Sequence, residues 1–162
     1  MKIIRVVTDI AAPVQTVWAE LAAVANYGEW NPFITTVHGE LVAGSRLTVR
    51  IVPPGGRPMT FRPTITEVEE GKRLEWLGRL VLPGVFDGRH SFLLDALGDG
   101  LTRLTQAEEF SGLLVPLTRT ILERTRAGFE AMNEALRLRA ERADARKPAG
   151  GYGLRTPAGF QQ

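Results

Sequence analysis

Hydrophobic residues recur at two periods along the chain, and the change of period divides it into elements. Ile4, Val6 and Ile10 alternate with polar residues over 2–10 and predict a strand. Pro13 then opens a helix, since proline at the first helical position gives up no hydrogen bond. Val14, Val17, Trp18 and Leu21 form its apolar stripe, and a second helical turn is expected near Val24–Tyr27. Pro32 pushes Asn31 out of helical geometry, so Trp30-Asn31-Pro32-Phe33 reads as a break.

Up to Gly112 the period is two. Strands are expected at Ile34–Leu41, Leu47–Ile51, Met59–Val68, Leu74–Leu80, Phe86–Leu94 and Leu101–Gly112. Turns separate them at Ala43-Gly44, Pro53-Pro54-Gly55-Gly56, Glu70-Gly71, Pro83-Gly84 and Gly98-Asp99-Gly100. From Pro116 to about Arg146 the period returns to that of a helix. Leu117, Ile121, Gly128, Phe129, Met132 and Leu136 mark its buried face. Gly128 there costs about 1 kcal/mol of helix propensity, so close approach to the sheet or to a ligand is expected. Residues 1–147 read as one domain, and 148–162, rich in glycine and other small residues, as a flexible tail.

Hairpin spacing makes the sheet antiparallel. Its single apolar face needs a cover, and the C-terminal helix is the only long amphipathic element available. The expected architecture is α+β: a curved seven-stranded antiparallel sheet wrapped around the long C-terminal helix, with two small helices after the first strand. With Gly78 and Gly128 pointing inward, the enclosed space need not fill, and such sites usually hold about 300–1,000 Å³.

Several stretches resemble the Bet v 1-like superfamily (SRPBCC), which includes START domains, polyketide cyclases and dehydrases, and ubiquinone-binding proteins. They are Ala12-Pro13 with Val17-Trp18, Tyr27 with Trp30-Asn31-Pro32-Phe33, Gly39–Gly44, Leu74 with Trp76, Phe86–Phe92 and Glu108-Glu109-Phe110-Ser111-Gly112. The resemblance covers about residues 2–140. It implies a helix-grip fold, and its cyclase members imply a cavity that holds a polyketide.

Composition narrows the chemistry. The chain has 162 residues, 44% hydrophobic and 23% charged, as expected of a globular domain, and a net charge of +2 is too small to argue for nucleic acid. Six basic residues against two acidic ones lie in 137–162. They either complement the C-terminal end of the helix dipole or await an anionic partner. The absence of Cys excludes disulfides and thiolate chemistry and suits a reducing cytoplasm. The first residues carry no apolar signal core, and no apolar run is long enough to span a membrane. Two histidines make a metal site unexpected, and neither a nucleophile elbow nor a phosphate-binding loop is present. No cofactor is expected.

Alternation assigns His90 to an inward face with Phe86, Phe92 and Leu94, and Glu108 to one with Leu104, Gln106 and Phe110. A three-residue loop at Gly98-Asp99-Gly100 sets His90 opposite Glu108 and Phe92 opposite Gln106, with Cβ atoms about 4.5–5.5 Å apart. A five-residue loop would pair His90 with Gln106. As a pair, His90 and Glu108 would act on a ligand carbonyl or its α-carbon, or merely satisfy each other and fix the register. Trp30 and Phe33 lie in a link expected at the cavity mouth, and Trp30 is either rim or core. Asn31 caps the turn or reaches the ligand. Phe61, Trp76, Phe92, Gln106, Phe110 and Gly128 complete the expected ligand-contacting set. Ser91 points away from His90. His38, Arg62, Glu75 and Arg79 are expected to be solvated.

Three functions remain. The first is a carrier or sensor of a small hydrophobic or amphipathic molecule. The second is a cyclase- or dehydratase-type enzyme using His90 and Glu108. The third, an interaction module, ranks last because Arg46, Arg50, Arg62, Glu75, Arg79 and Arg89 charge the outer face. An exposed strand edge would support a homodimer.

Overall fold

A computed structural model describes residues 1–80, 86–112 and 119–147. Strand β1 (Lys2–Ile10) leads into α1 (Val14–Ala22), a 3-10 turn (Val24–Asn26) and α2 (Tyr27–Trp30). Strands β2 (Ile34–His38), β3 (Thr48–Ile51), β4 (Met59–Phe61), β5 (Thr64–Glu69), β6 (Arg73–Leu80), β7 (Phe86–Gly98) and β8 (Leu101–Ser111) follow, and α3 spans Arg119–Ala145. The Pro83-Gly84 turn, Pro116, Leu117 and the 148–162 segment lie outside the described residues.

Eight strands replace the seven expected, in two hydrogen-bonded groups, β1-β8-β7-β6-β5 and β2-β3-β4. The cause is Pro63. It donates no hydrogen bond and breaks the predicted Met59–Val68 strand into β4 and β5. The groups remain joined, because the Leu47 amide donates to the Pro63 carbonyl at 2.9 Å and the Ile65 amide donates to the Ser45 carbonyl at 2.9 Å. Counted as one bent strand, β4–β5 restores a single curved antiparallel surface around α3. The architecture is α+β of the helix-grip type.

Along α3, Thr125, Gly128, Phe129, Met132, Asn133, Leu136 and Ala140 are buried at helical spacing, and this stripe packs on β1 and α1. Ile121 departs from the expected buried face: it is 47% exposed. It sits in the first turn of α3, where the helix overhangs a hollow rather than the filled core. Polar ties fix the other end. Glu141 accepts the Ala11 amide at 3.0 Å, and Arg139 binds Glu20 of α1 and Glu29 of α2. Arg137 pairs with Glu134 and Glu141, and Lys147 lies 3.8 Å from Asp144. Much of the basic surplus near the helix end is therefore internally paired.

Glu75 is a second correction. It lies on the outer face, as alternation requires, yet it is only 4% exposed. Arg73 from its own strand (2.6 Å), Arg89 from β7 (2.5 Å) and Thr66 from β5 (2.8 Å) close over the carboxylate. Burial works to raise the Glu75 carboxyl, but the hydrogen bonds from Arg73, Thr66 and Arg89 outweigh it and hold the group below its ordinary value. Arg62, Arg79 and His38 are exposed.

Candidate functional site

Along the inner face of the central strands, two rows of bulky side chains give way to a row with two glycines. One register row holds Leu74, Phe92, Gln106 and Val6; the next holds Trp76, His90, Glu108 and Ile4; the third holds Gly78, Gly88 and Phe110. The first row packs solidly against Phe129, Met132 and Leu136, all fully buried. Each such side chain contributes about 1.5–3 kcal/mol. The third row has two adjacent glycines, and there the core stops. A cavity of about 240 Å³ opens between this end of the sheet and α3.

Its wall is mostly apolar. Phe33, Phe61, Trp76 and Phe110 supply the aromatic part; Ile34, Val49, Ile51 and Met59 come from the β2-β3-β4 group. His90, Glu108 and Thr125 are polar groups at this wall. Gly78 has room for a methyl group, since a Cβ there would meet Gly88 O at 3.7 Å. Gly88 has none: a Cβ would lie 2.5 Å from Glu108 Oε1, so glycine at this position lets the carboxylate lie flat on the sheet.

His90 and Glu108 stand opposite each other in the β7–β8 register, with His90 Nδ1 3.5 Å from Glu108 Oε2. The imidazole is held on every side. Trp76 stacks on it at 4.9 Å and 11°, Phe129 meets it edge-on at 4.9 Å, and Gln106 Nε2 donates to its Nε2 at 3.1 Å. The same amide nitrogen lies 3.6 Å from Met132 Sδ, while Gln106 Oε1 is buried without a partner. With its NH₂ toward the ring the amide donates, so His90 Nε2 accepts and the ring proton sits on Nδ1, on the Glu108 side.

Of the residues singled out from the sequence, Phe33, Phe61, Trp76, His90, Glu108 and Phe110 meet at the cavity. Trp30, Asn31, Phe92, Gln106 and Gly128 lie behind its wall. Asn31 is a turn cap: its Oδ1 accepts the amides of Phe33 and Ile34 at 3.0 and 2.8 Å and so aims Phe33 inward. Trp30 packs edge-on against Tyr27 at 5.1 Å. Burial raises the Tyr27 phenol well above its ordinary value, and its hydroxyl donates to Leu21 O at 2.6 Å. Phe92 belongs to the filled row, and Gln106 touches the site only through His90. Gly128 makes room for Phe33, whose Cδ2 would lie 2.2 Å from a Cβ at that position.

Of the wall residues from β2–β4, Phe61 is among the expected contacts, whereas Ile34, Val49, Ile51 and Met59 are not. Their alternation is visible, but only the bend at Pro63 folds that group over the cavity. Among the described residues no group of three or more His, Cys, Asp or Glu is placed to hold a metal ion, and no helix is long and apolar enough to cross a membrane.

Comparison with solved structures places this architecture in a well-populated fold. A protein of Mesorhizobium loti is 21% identical with a TM-score of 0.69, over 88% of this chain and 99% of its own. A START superfamily protein from Mycobacterium smegmatis is 19% identical with a TM-score of 0.69, over 87% and 98%. A norcoclaurine synthase point mutant from Thalictrum flavum, in complex with a transition-state analogue, is 15% identical with a TM-score of 0.66, over 88% and 95%. At such identities the likeness shows the fold alone, one that typically holds hydrophobic ligands in a cavity. No curated protein matches the sequence. Residues 1–141 match the family described as polyketide cyclase / dehydrase and lipid transport. The chain therefore belongs to that family, and a START superfamily protein is among its structural neighbours.

Proposed function

We propose that this protein binds a small hydrophobic or amphipathic molecule in the cavity and acts as its carrier or sensor. The observation that carries the reading is the hollow of about 240 Å³ between the glycine end of the sheet and α3, walled mainly by aromatic and aliphatic side chains. Burying a ligand against such a wall is favourable by about 25 cal/mol per Å² of apolar surface removed from water. The family's description includes lipid transport, which agrees with this use. Native mass spectrometry of the purified protein tests it. A retained small molecule, or saturable uptake of added toluene seen by calorimetry, is the expected result. No retained molecule and no uptake would overturn the reading.

A second reading is favoured by the His90 Nδ1–Glu108 Oε2 approach of 3.5 Å at the same wall. In a cyclase- or dehydratase-type reaction, Glu108 would take a proton from the ligand's α-carbon while His90 holds the carboxylate in place. His90→Ala separates the two readings. A carrier changes affinity modestly, whereas an enzyme loses turnover by about 100-fold or more with binding largely kept.

A further inference from the structure

We infer that the cavity selects a ligand whose head group donates hydrogen bonds and carries positive charge: a compact apolar molecule bearing a protonated amine. The inference rests on the cavity being a binding site and adds the class of ligand.

The argument is an account of donors and acceptors. His90 turns its Nδ1 toward Glu108 at 3.5 Å, and its Nε2 is occupied by the Gln106 amide. Thr125 donates its hydroxyl hydrogen to Ile121 O at 2.9 Å, which leaves only oxygen lone pairs for a ligand. The Glu108 carboxylate is acceptor-only. Its Oε1 lies over the Cα of Gly88, and no Lys or Arg nitrogen of the described residues is within 4.0 Å of it. Arg79 borders the cavity by its strand position, is exposed, and alternates to the outer face with Glu75.

At the inner wall Glu108 therefore offers a ligand acceptor oxygens and a negative charge, and Thr125 a further acceptor. A carboxylate ligand would meet like charge at Glu108, and a ketone or ester would leave that carboxylate without a partner. A cation answers both conditions. Trp76, Phe61 and Phe110 line the same cavity, where aromatic rings add quadrupolar attraction for an ammonium group.

Calorimetric titration of the full chain with four probes of one size tests this: benzylammonium, benzyl alcohol, toluene and benzoate. Benzylammonium should bind about tenfold or more tightly than toluene, with benzoate weakest, as a charge-assisted hydrogen bond requires. Glu108→Gln should abolish the ammonium preference and keep toluene binding. Glu109→Gln, an exposed neighbour, should leave the preference intact. Toluene binding with no ammonium preference in the wild-type protein would overturn the inference and leave the cavity reading in place. Failure of all four probes would overturn both.

Discussion

Three glycines at the inner face, at positions 78, 88 and 128, do three different jobs, and one added methyl group distinguishes them. A helical glycine replaced by alanine ordinarily gains about 1 kcal/mol. At Gly128 the sign reverses, because the new Cβ would sit 2.2 Å from Phe33 Cδ2. Phe33 is buried and held edge-on by Phe129 at 5.6 Å, so it can give way only into the cavity it lines. Overpacking costs about 1–3 kcal/mol, so Gly128→Ala should lose a net of up to about 2 kcal/mol in denaturant unfolding. Stability at or above wild type would show that the ring has somewhere to go. Asn31→Ala removes the acceptor of two buried amides and should cost about 1–3 kcal/mol in the same measurement.

At the scale of elements, the pairing of strands was largely legible and their burial was not. A three-residue loop at Gly98-Asp99-Gly100 predicts the β7–β8 register, and His90 does stand opposite Glu108, although the strands close at Gly98–Leu101 with an irregularity between Ala96 and Gly98 in place of that loop. The start of α1 followed from Pro13, and the apolar stripe identified α3, whose expected start at Pro116 lies outside the described residues. Glu75 was misread because alternation reports which face a residue takes, not what lies on top of it. Only Arg73 and Arg89, one on the same strand and one on the next, hinted that the carboxylate would be covered. This cluster ties β5, β6 and β7 together and has a pH signature. The Glu75 carboxyl is held below its ordinary value of 4.5, so its contribution is complete above that value and is lost as pH falls through the lower, folded-state value. Unfolding free energy of the wild type should therefore drop on acidification below about pH 4.5 more steeply than that of Glu75→Gln. A gap between the two proteins that stays constant from neutral pH to pH 3 would refute the assignment.

The whole molecule is a curved sheet whose lining thins from one end to the other. The cavity was foreseen from inward glycines, but half of its wall was not. Ile34, Val49, Ile51 and Met59 reach it only because the chain bends at Pro63, and a bend acts over a distance that local alternation does not record. Gly78 lies at the thin end, where a Cβ makes only ordinary contacts. Gly78→Ala should keep or raise stability, by about 0.4–1 kcal/mol, through the stiffer unfolded chain. It should also weaken toluene uptake by narrowing the hollow. An unchanged affinity would place the ligand elsewhere.

The graded lining has a consequence for how this scaffold tolerates change. The residues that hold the chain folded and those that face the hollow occupy different rungs of the same ladder. Selection can therefore recut the chamber, by exchanging glycine for alanine or valine near its opening, with little penalty to the packed rungs below. The same separation gives an engineer a fixed foundation on which to vary what the chamber admits.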